Sequence, residues 1–481
     1  WLFQYSYRDF RRNILERETV NSVAWLGSGA FETISGEVVQ VVLFTASRVN
    51  RESNTLMVQA STPISNRIMV IDVADGDGAE RKSEMLISDP TKQIEQASQL
   101  QNPDSRFSVD YIDPSSLMSG HAASIQGLAT SDDPQFTLSF WELTSISGGW
   151  LPLRGTVRST VEYGGCERLL LWEDGKGRYY RHAMALKREG RLGGWKSGTE
   201  ARDKPGIIIS QMSSMPVSIY IGEFYDHNAC VLTPKNTSEI TAMWCFCASS
   251  IFETEVRKID QSIKPSNNTF IKVPFDIKHW QKVAEERYPN GLPAPYSNDP
   301  TQWIFHGHPC GSVVWDEDAK ALAHGDLRTD ETVLHVAVAR LLGYRWPAET
   351  DPDMELSAES REWVARCDAL LSFADKDGIV CIPSVRGERP AADRLLNLLA
   401  AAYGEGWNND VLGQLLASVD HAGKTLDTWL RDKFFDQHYK LFNHRPFIWH
   451  IWDGLRDGFS ALVNYHTLDY KGLETLIYTY L

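Results

Sequence analysis

The sequence predicts an α+β protein of several domains, and three observations carry that prediction. At 481 residues the chain is too long for one small core, which points to roughly two to four domains. Residues 116–300 hold many short apolar runs broken by glycine, the texture of strands. From about residue 301 the apolar positions recur at three-and-four spacing, the texture of helices.

Each element has its own reason. Phe3, Tyr7, Phe10 and Ile14 recur at helical spacing. Val20, Val23, Trp25 and Leu26 then predict a short buried strand, broken by Gly27-Ser28-Gly29. Residues 38–44 are almost continuously apolar, which predicts a strand buried on both faces, as in an α/β sheet. Residues 51–115 are mixed and polar and read as a linker or spacer, with one helix over 92–100 ended by Asn102-Pro103-Asp104. Strands are expected at 136–141, 168–172, 206–210 and 217–222. Helices are expected at 332–342, 360–373, 391–403, 411–419 and 425–442, with Ser357 as a candidate N-cap and prolines at the joints. No internal repeat or low-complexity tract occurs. Trp1 and Leu481 both sit inside apolar patterns, so both ends are expected to be internal to a longer protein.

Composition excludes several classes. A chain 42% hydrophobic and 23% charged fills cores and is far from disorder. No apolar run is long enough to span a membrane, and a cytoplasmic location is expected. Seven cysteines is an odd number, which argues against a closed disulfide set, and Cys245 and Cys247 lie in an apolar run as core thiols. His306, His308 and Cys310 have ligand chemistry but no second cluster beside them, so no metal is expected. His335 falls among valines and leucines and reads as a hydrogen-bonded core histidine. The acidic run Asp316-Glu317-Asp318 reads as a solvated loop, and no Gly-x-Ser-x-Gly elbow is present.

The formal charge is −15, which is awkward for a partner made of phosphates. It is unevenly spread. Residues 151–205 carry twelve Lys plus Arg against seven Asp plus Glu, a local +5. The cations include Arg154, Arg158, Lys176, Arg178, Arg181, Lys187, Arg188, Arg191 and Lys196, interleaved with Trp172, Tyr179, Tyr180 and Trp195. Basic groups among stacking rings suit nucleic acid, and the same composition also fits a solvated, loop-rich face.

Two stretches carry a family resemblance. Tyr7-Arg8-Asp9-Phe10-Arg11, then Val23-Ala24-Trp25-Leu26-Gly27-Ser28-Gly29-Ala30-Phe31 and Ile34-Ser35-Gly36-Glu37-Val38-Val39 resemble the last elements of an adenine-specific DNA methyltransferase. Further on, Gly127-Leu128-Ala129-Thr130-Ser131-Asp132-Asp133-Pro134-Gln135-Phe136 followed by Phe140-Trp141-Glu142 resembles the opening of the target-recognition domain in large single-chain restriction–modification enzymes and phage-defence methyltransferases of the BREX or DISARM kind. Ser131 stands where that family has glycine, and Asp133 where asparagine is common. Gln211-Met212, Tyr220-Ile221-Gly222-Glu223, residues 272–277 and 299–309, Arg445-Pro446-Phe447-Ile448-Trp449-His450 and Asn464-Tyr465-His466 resemble later parts of the same enzymes.

The resemblance implies a division of the chain: 1–50 as the tail of the α/β methyltransferase sheet, 51–115 as linker, 116–300 as an α+β target-recognition domain, and 301–481 as a mainly α-helical C-terminal region. It implies double-stranded DNA as partner, with other defence-system subunits as further ones. Phe31 would stack on the extruded adenine, in place of plugging a strand end. Thr130, Ser131, Asp133 and Gln135 would face base edges, and Arg154, Arg158, Lys176, Arg178, Arg181, Lys187, Arg188 and Lys196 would hold DNA. The family's methyl donor, S-adenosylmethionine, and its catalytic Asn/Asp-Pro-Pro-aromatic tetrapeptide belong upstream of the matched region. Neither that tetrapeptide nor a glycine turn opening a helix is found, so this chain alone is expected to bind no cofactor and to be inactive. Two alternatives stay open: a stand-alone DNA specificity subunit, and a protein-binding scaffold of a defence complex.

Overall fold

The computed structural model describes residues 7–31, 41–48, 65–108, 116–191, 193–212, 214–385, 387–455 and 458–480. They form an α+β arrangement of helices and several small sheets.

The helix Arg8–Arg17 buries Leu15 and leads directly into the strand Glu18–Gly27. That strand is the centre of the first sheet. It pairs antiparallel with Val41–Arg48 and parallel with Arg67–Asp72, which in turn pairs antiparallel with Lys92–Glu95. Val20, Val23, Trp25, Ile68, Val70 and Phe107 make its core. Two expectations are corrected here. The apolar strand is not buried on both faces: Val41–Arg48 is the sheet edge, and Leu43 is half exposed. Residues 92–100 are not one helix, since Lys92–Glu95 pairs with Arg67–Asp72 and buries Ile94, leaving only Gln96–Gln99 helical. Sheet pairing overrides the weak local preference of a polar tetrapeptide. Residues 38–40 lie outside the described residues.

Two four-stranded sheets follow. One runs Val217–Tyr220, Gly206–Ser210, Ala229–Pro234, Ala122–Gln126, antiparallel throughout. Ile207, Ile208 and Ile209 are buried on both of its faces, each worth roughly 1.5–3 kcal/mol on transfer from water. The other runs Phe224–Tyr225, Trp150–Arg154, Arg168–Leu171, Thr137–Ser139. Gly127 joins them at a point of close approach, where a Cβ would stand 2.1 Å from the Asp226 carbonyl oxygen.

Beyond residue 301 the helices Glu331–Leu341, Ala358–Leu370, Ala391–Tyr403 and Asn409–Ser418 lie close to their expected spans. Ser357 caps its helix, its Oγ accepting from the Ser360 N–H at 3.1 Å. The expected helix 425–442 is two, Leu426–Asp432 and Phe434–Leu441, broken where Lys433 leaves helical geometry at φ −130°. An unexpected antiparallel sheet, Ile379–Cys381, Ser460–Asn464, Ile448–Trp452, sits among them. One buried cluster runs from Leu117 to Leu462, on both sides of residue 300. Trp141 stitches this joint: its Nε1 donates to the Arg445 carbonyl at 2.9 Å, and its own carbonyl is 2.8 Å from His466 Nε2. His335 is buried against Trp429 and Phe434, but its Nδ1 has no hydrogen-bond partner among the described residues, where a bonded histidine was expected. No helix among the described residues is long and apolar enough to cross a membrane.

Candidate nucleic-acid interface

The basic stretch folds around one helix, Arg178–Arg188. Its inner side presents Tyr179 and Ala183, four residues apart and both buried. Tyr179 lies against Phe136, Trp172 and Trp195, with ring centroids 5.3, 6.2 and 6.1 Å away, and Phe224 closes the cluster 4.6 Å from Trp172. The Tyr179 hydroxyl donates towards the carbonyls of Ala129 and Trp195, each at 3.1 Å. Most of the interleaved aromatics therefore hold the helix in place. Tyr180 alone among the four is exposed, and Trp195 is half buried.

The outer side is cationic. Arg178, Arg181, Lys187 and Arg188 are exposed, flanked by exposed Lys176 and Lys196. Lys196 Nζ stands 4.8 Å over the Trp195 ring. Arg178 lies 3.9 Å from Glu173, a loose pair at the surface. Arg181, Lys187 and Arg188 have no ion-pair partner among the described residues. Free surface cations on one short helix make a patch fit for phosphates.

The other expected contacts separate. Arg154 is in the interior, a correction. Its guanidinium donates to Cys166 Sγ at 2.9 Å, Ser218 Oγ at 3.0 Å and the Ile219 carbonyl at 2.7 Å, and lies 3.4 Å from Glu223. Burial pushes the Cys166 thiol up to about 12, so it remains a thiol there. No phosphate can reach this arginine. Arg158 is exposed and lines a cleft of about 860 Å³ with Tyr296, Asp299 and Asn443, a cleft that the helix Arg178–Arg188 does not line.

The loop after Ala129 is partly internal. Thr130 is buried and its hydroxyl donates to Asp133. Asp133 also accepts from Arg168 Nη2 at 2.9 Å. Partial burial raises its carboxyl, but the hydrogen bonds from Thr130 and Arg168 outweigh that and hold it below the usual carboxylate range. Thr130 and Asp133 are thus engaged with the protein, while Ser131 and Gln135 face outward. Ser131 keeps a left-handed φ of 62° where the resembled family has glycine, so the turn survives that replacement. Arg168, which sequence reasoning did not single out, organises this loop by bonding Asp133 and Thr137 Oγ1 at 2.6 Å. Phe31 is half exposed at the end of a described segment, and residues 32–40 that follow lie outside the described residues. Gly27-Ser28-Gly29 lies at the end of a strand whose antiparallel neighbour is Val41–Arg48. His306, His308 and Cys310 are buried, and no group of potential metal ligands occurs among the described residues.

No family model matches the sequence, and no curated protein matches it. Solved structures similar to it include the Type IIL restriction-modification enzyme MmeI in complex with DNA, at 10% identity and a TM-score of 0.29 over 84% of this chain and 45% of that one. The type IIG restriction endonuclease BpuSI gives 12% and 0.26 over 84% and 46%. A nuclease-deletion mutant of the Type ISP restriction-modification enzyme LlaGI, in complex with a DNA substrate mimic, gives 9% and 0.29 over 86% and 38%. The chain spans less than half of each of these proteins, and scores this low carry no argument about fold or function.

Proposed function

We propose that this chain is the DNA target-recognition portion of a large adenine-specific N6 methyltransferase of the restriction–modification or phage-defence kind. The observation that carries the reading is the helix Arg178–Arg188, pinned by Tyr179 and Ala183 to an aromatic cluster while Arg181, Lys187 and Arg188 stand outside with no ion-pair partner among the described residues. The order of the resembling segments along the chain supports it. On this reading the helix grips the phosphates of double-stranded DNA, and exposed Ser131 and Gln135, on the loop whose Ala129 carbonyl receives the Tyr179 hydroxyl, lie within the same neighbourhood to face base edges. Phe31 is the ring offered to an extruded base. Methyl transfer and S-adenosylmethionine belong to a part of the enzyme outside this chain, and no chemical step is assigned to the residues described. Other defence-system subunits are further partners on the same reading.

The test is duplex binding by the purified chain across a salt series, beside the variant Arg178→Glu/Arg181→Glu/Lys187→Glu/Arg188→Glu. The expected result is binding that weakens steeply with salt and falls on the order of 100-fold or more in the variant. A folded sample that ignores duplex at low salt, or a variant that binds as well as the wild type, sinks the reading in favour of a protein-binding scaffold.

A further inference from the structure

The chain passes from one four-stranded sheet to the other through Asp226, His227 and Asn228, between the strands Phe224–Tyr225 and Ala229–Pro234. None of the segments that carry the family resemblance includes these three residues. The Ala229 N–H closes the turn on the Asp226 carbonyl at 3.0 Å. Asp226 is buried, and its carboxylate accepts from the Asn228 N–H at 2.7 Å. The Asn228 carbonyl accepts from the Gln211 N–H at 2.9 Å, and its side-chain oxygen from Lys264 Nζ at 2.9 Å. The His227 carbonyl accepts from Gln126 Nε2. The main chain of the turn is thus tied on each side. The His227 ring is not: 48% of its side chain is exposed, and its Nε2 has no hydrogen-bond partner among the described residues. A polar group tells bases apart only when its geometry is fixed, and this turn fixes one that still projects into solvent.

Arg168 places this turn beside the loop 130–135. One end of its guanidinium, Nη2, donates to Asp133 at 2.9 Å, and the other, Nη1, lies 3.6 Å from Asp226. Two carboxylates on one guanidinium hold turn and loop side by side. Leu128, just before the loop, also bridges to Asp226 through the backbone. The loop is in turn fixed to the basic helix, where the Tyr179 hydroxyl meets the Ala129 carbonyl. Helix, loop and turn are therefore connected parts of one region. The cations of the helix Arg178–Arg188 supply an attraction for phosphates that is the same for every sequence. The turn adds what they lack, a group that can distinguish one base from another.

The chemistry of the ring selects the base. The Asp226 carboxylate stands 3.6 Å from His227 Nδ1. A negative charge on that side draws the ring proton to Nδ1 and leaves Nε2 as an acceptor. In the major groove adenine and cytosine offer an amino N–H, where guanine and thymine offer an oxygen. An acceptor pairs with the first two and repels the others. We propose that His227 is a specificity-determining residue, its Nε2 accepting from the amino group of an adenine or a cytosine, with Arg168 as the residue that positions it. The assignment rests on the duplex reading above and names the side chain that reads a base within it.

The experiment offers the full chain a pool of duplexes of randomised sequence and sequences the bound fraction, with melting temperature and circular dichroism reporting that each variant is folded. The wild type should favour adenine or cytosine roughly ten-fold at one position. His227→Ala should flatten that position alone and leave the salt dependence of binding unchanged. His227→Lys, which carries donors only, should turn the preference there towards guanine or thymine. Arg168→Ala, which releases the turn, should flatten the same position. Base preferences that are absent from the wild type, or unchanged in both His227 variants, overturn the proposal and leave the duplex reading standing. So does a His227→Ala protein that binds every duplex more weakly by one common factor, since the ring would then touch phosphate and read nothing. A folded wild type that binds no duplex at low salt overturns both.

Discussion

The strand Trp150–Arg154 and the helix Arg178–Arg188 belong to one basic stretch, yet their arginines do opposite things. Arg154 ends its strand facing the packed interior, where Ser218, Ile219, Cys166 and Glu223 surround the guanidinium. Arg181 sits on a helix whose buried positions are already taken by Tyr179 and Ala183, so it points to solvent. The same side chain is structural in one place and available to a ligand in the other. What decides is whether the fold supplies acceptors for its donors. Arg154 has both Nη groups taken by protein acceptors and its Nε sealed from solvent, so it is closed to phosphate, whereas a cation without such acceptors has nothing to stabilise by staying.

The largest effect expected from that contrast is on stability. Removing a buried charge that partners Glu223, and orphaning the Ile219 carbonyl, costs on the order of 3–5 kcal/mol. Arg154→Ala should therefore lower the urea midpoint sharply, whereas Arg181→Glu should stay within about 0.5 kcal/mol of wild type. On duplex binding the order reverses: Arg181→Glu weakens it, and folded Arg154→Ala keeps the wild-type salt dependence. An Arg154→Ala protein of normal stability that no longer binds DNA would break the comparison.

A second contrast is between an interior cation with partners and an interior histidine without them. His335 is enclosed by Trp429, Phe434 and His438, and its Nδ1 has no hydrogen-bond partner among the described residues. Burial alone pushes its pKa from the ordinary 6.5 down to about 3. The sign follows directly. Below pH 6.5 the unfolded chain takes up a proton that the folded chain refuses until about pH 3. Stability from this group is thus complete above pH 6.5 and lost as pH falls towards 3, by about 1.4 kcal/mol per pH unit. His335→Phe, which keeps a ring among rings, should lose about 2 kcal/mol less than wild type between pH 6.5 and 5. Equal losses in denaturation at the two pH values would show that a partner or water reaches the ring.

These cases mark what the sequence makes legible. Local chemistry reads well. Ser357 stands just ahead of its helix, and its hydroxyl does cap it. The helix Ala391–Tyr403 follows from its own spacing. The basic patch is visible as composition, and a closer look at Gly177, then Tyr179 and Ala183, then Gly190 would have framed it as a helix. What depends on distant partners does not read. Arg154 meets Ser218 and Ile219 from another sheet. Lys92–Glu95 becomes a strand only because Arg67–Asp72 is there to pair with. The C-terminal sheet is assembled from Ile379–Cys381, too short to show a period, and two strands beyond several helices. The pairing of Asp133 with Arg168, which comes from a strand 35 residues away, is likewise invisible in the sequence.

The smallest effect separates anchor from surface within the basic helix itself. Tyr179→Phe keeps the ring against Phe136 and Trp172 and removes only the hydroxyl shared by the Ala129 and Trp195 carbonyls. A loss of about 1 kcal/mol in folding stability is expected, the ordinary worth of such a bond. Its more telling consequence is on binding. The hydroxyl ties the helix both to the loop that carries Ser131 and Gln135 and to the segment that carries Lys196, so removing it frees three parts of the candidate interface relative to one another. Charge is unchanged, so attraction to random duplex and its salt dependence should stay as they were. Discrimination between duplex sequences, which needs the loop held in register with the helix, should narrow. If Tyr179→Phe instead weakens all duplexes alike, the outer cations depend on the anchor for more than position, and the division between a structural inner face and a binding outer face fails.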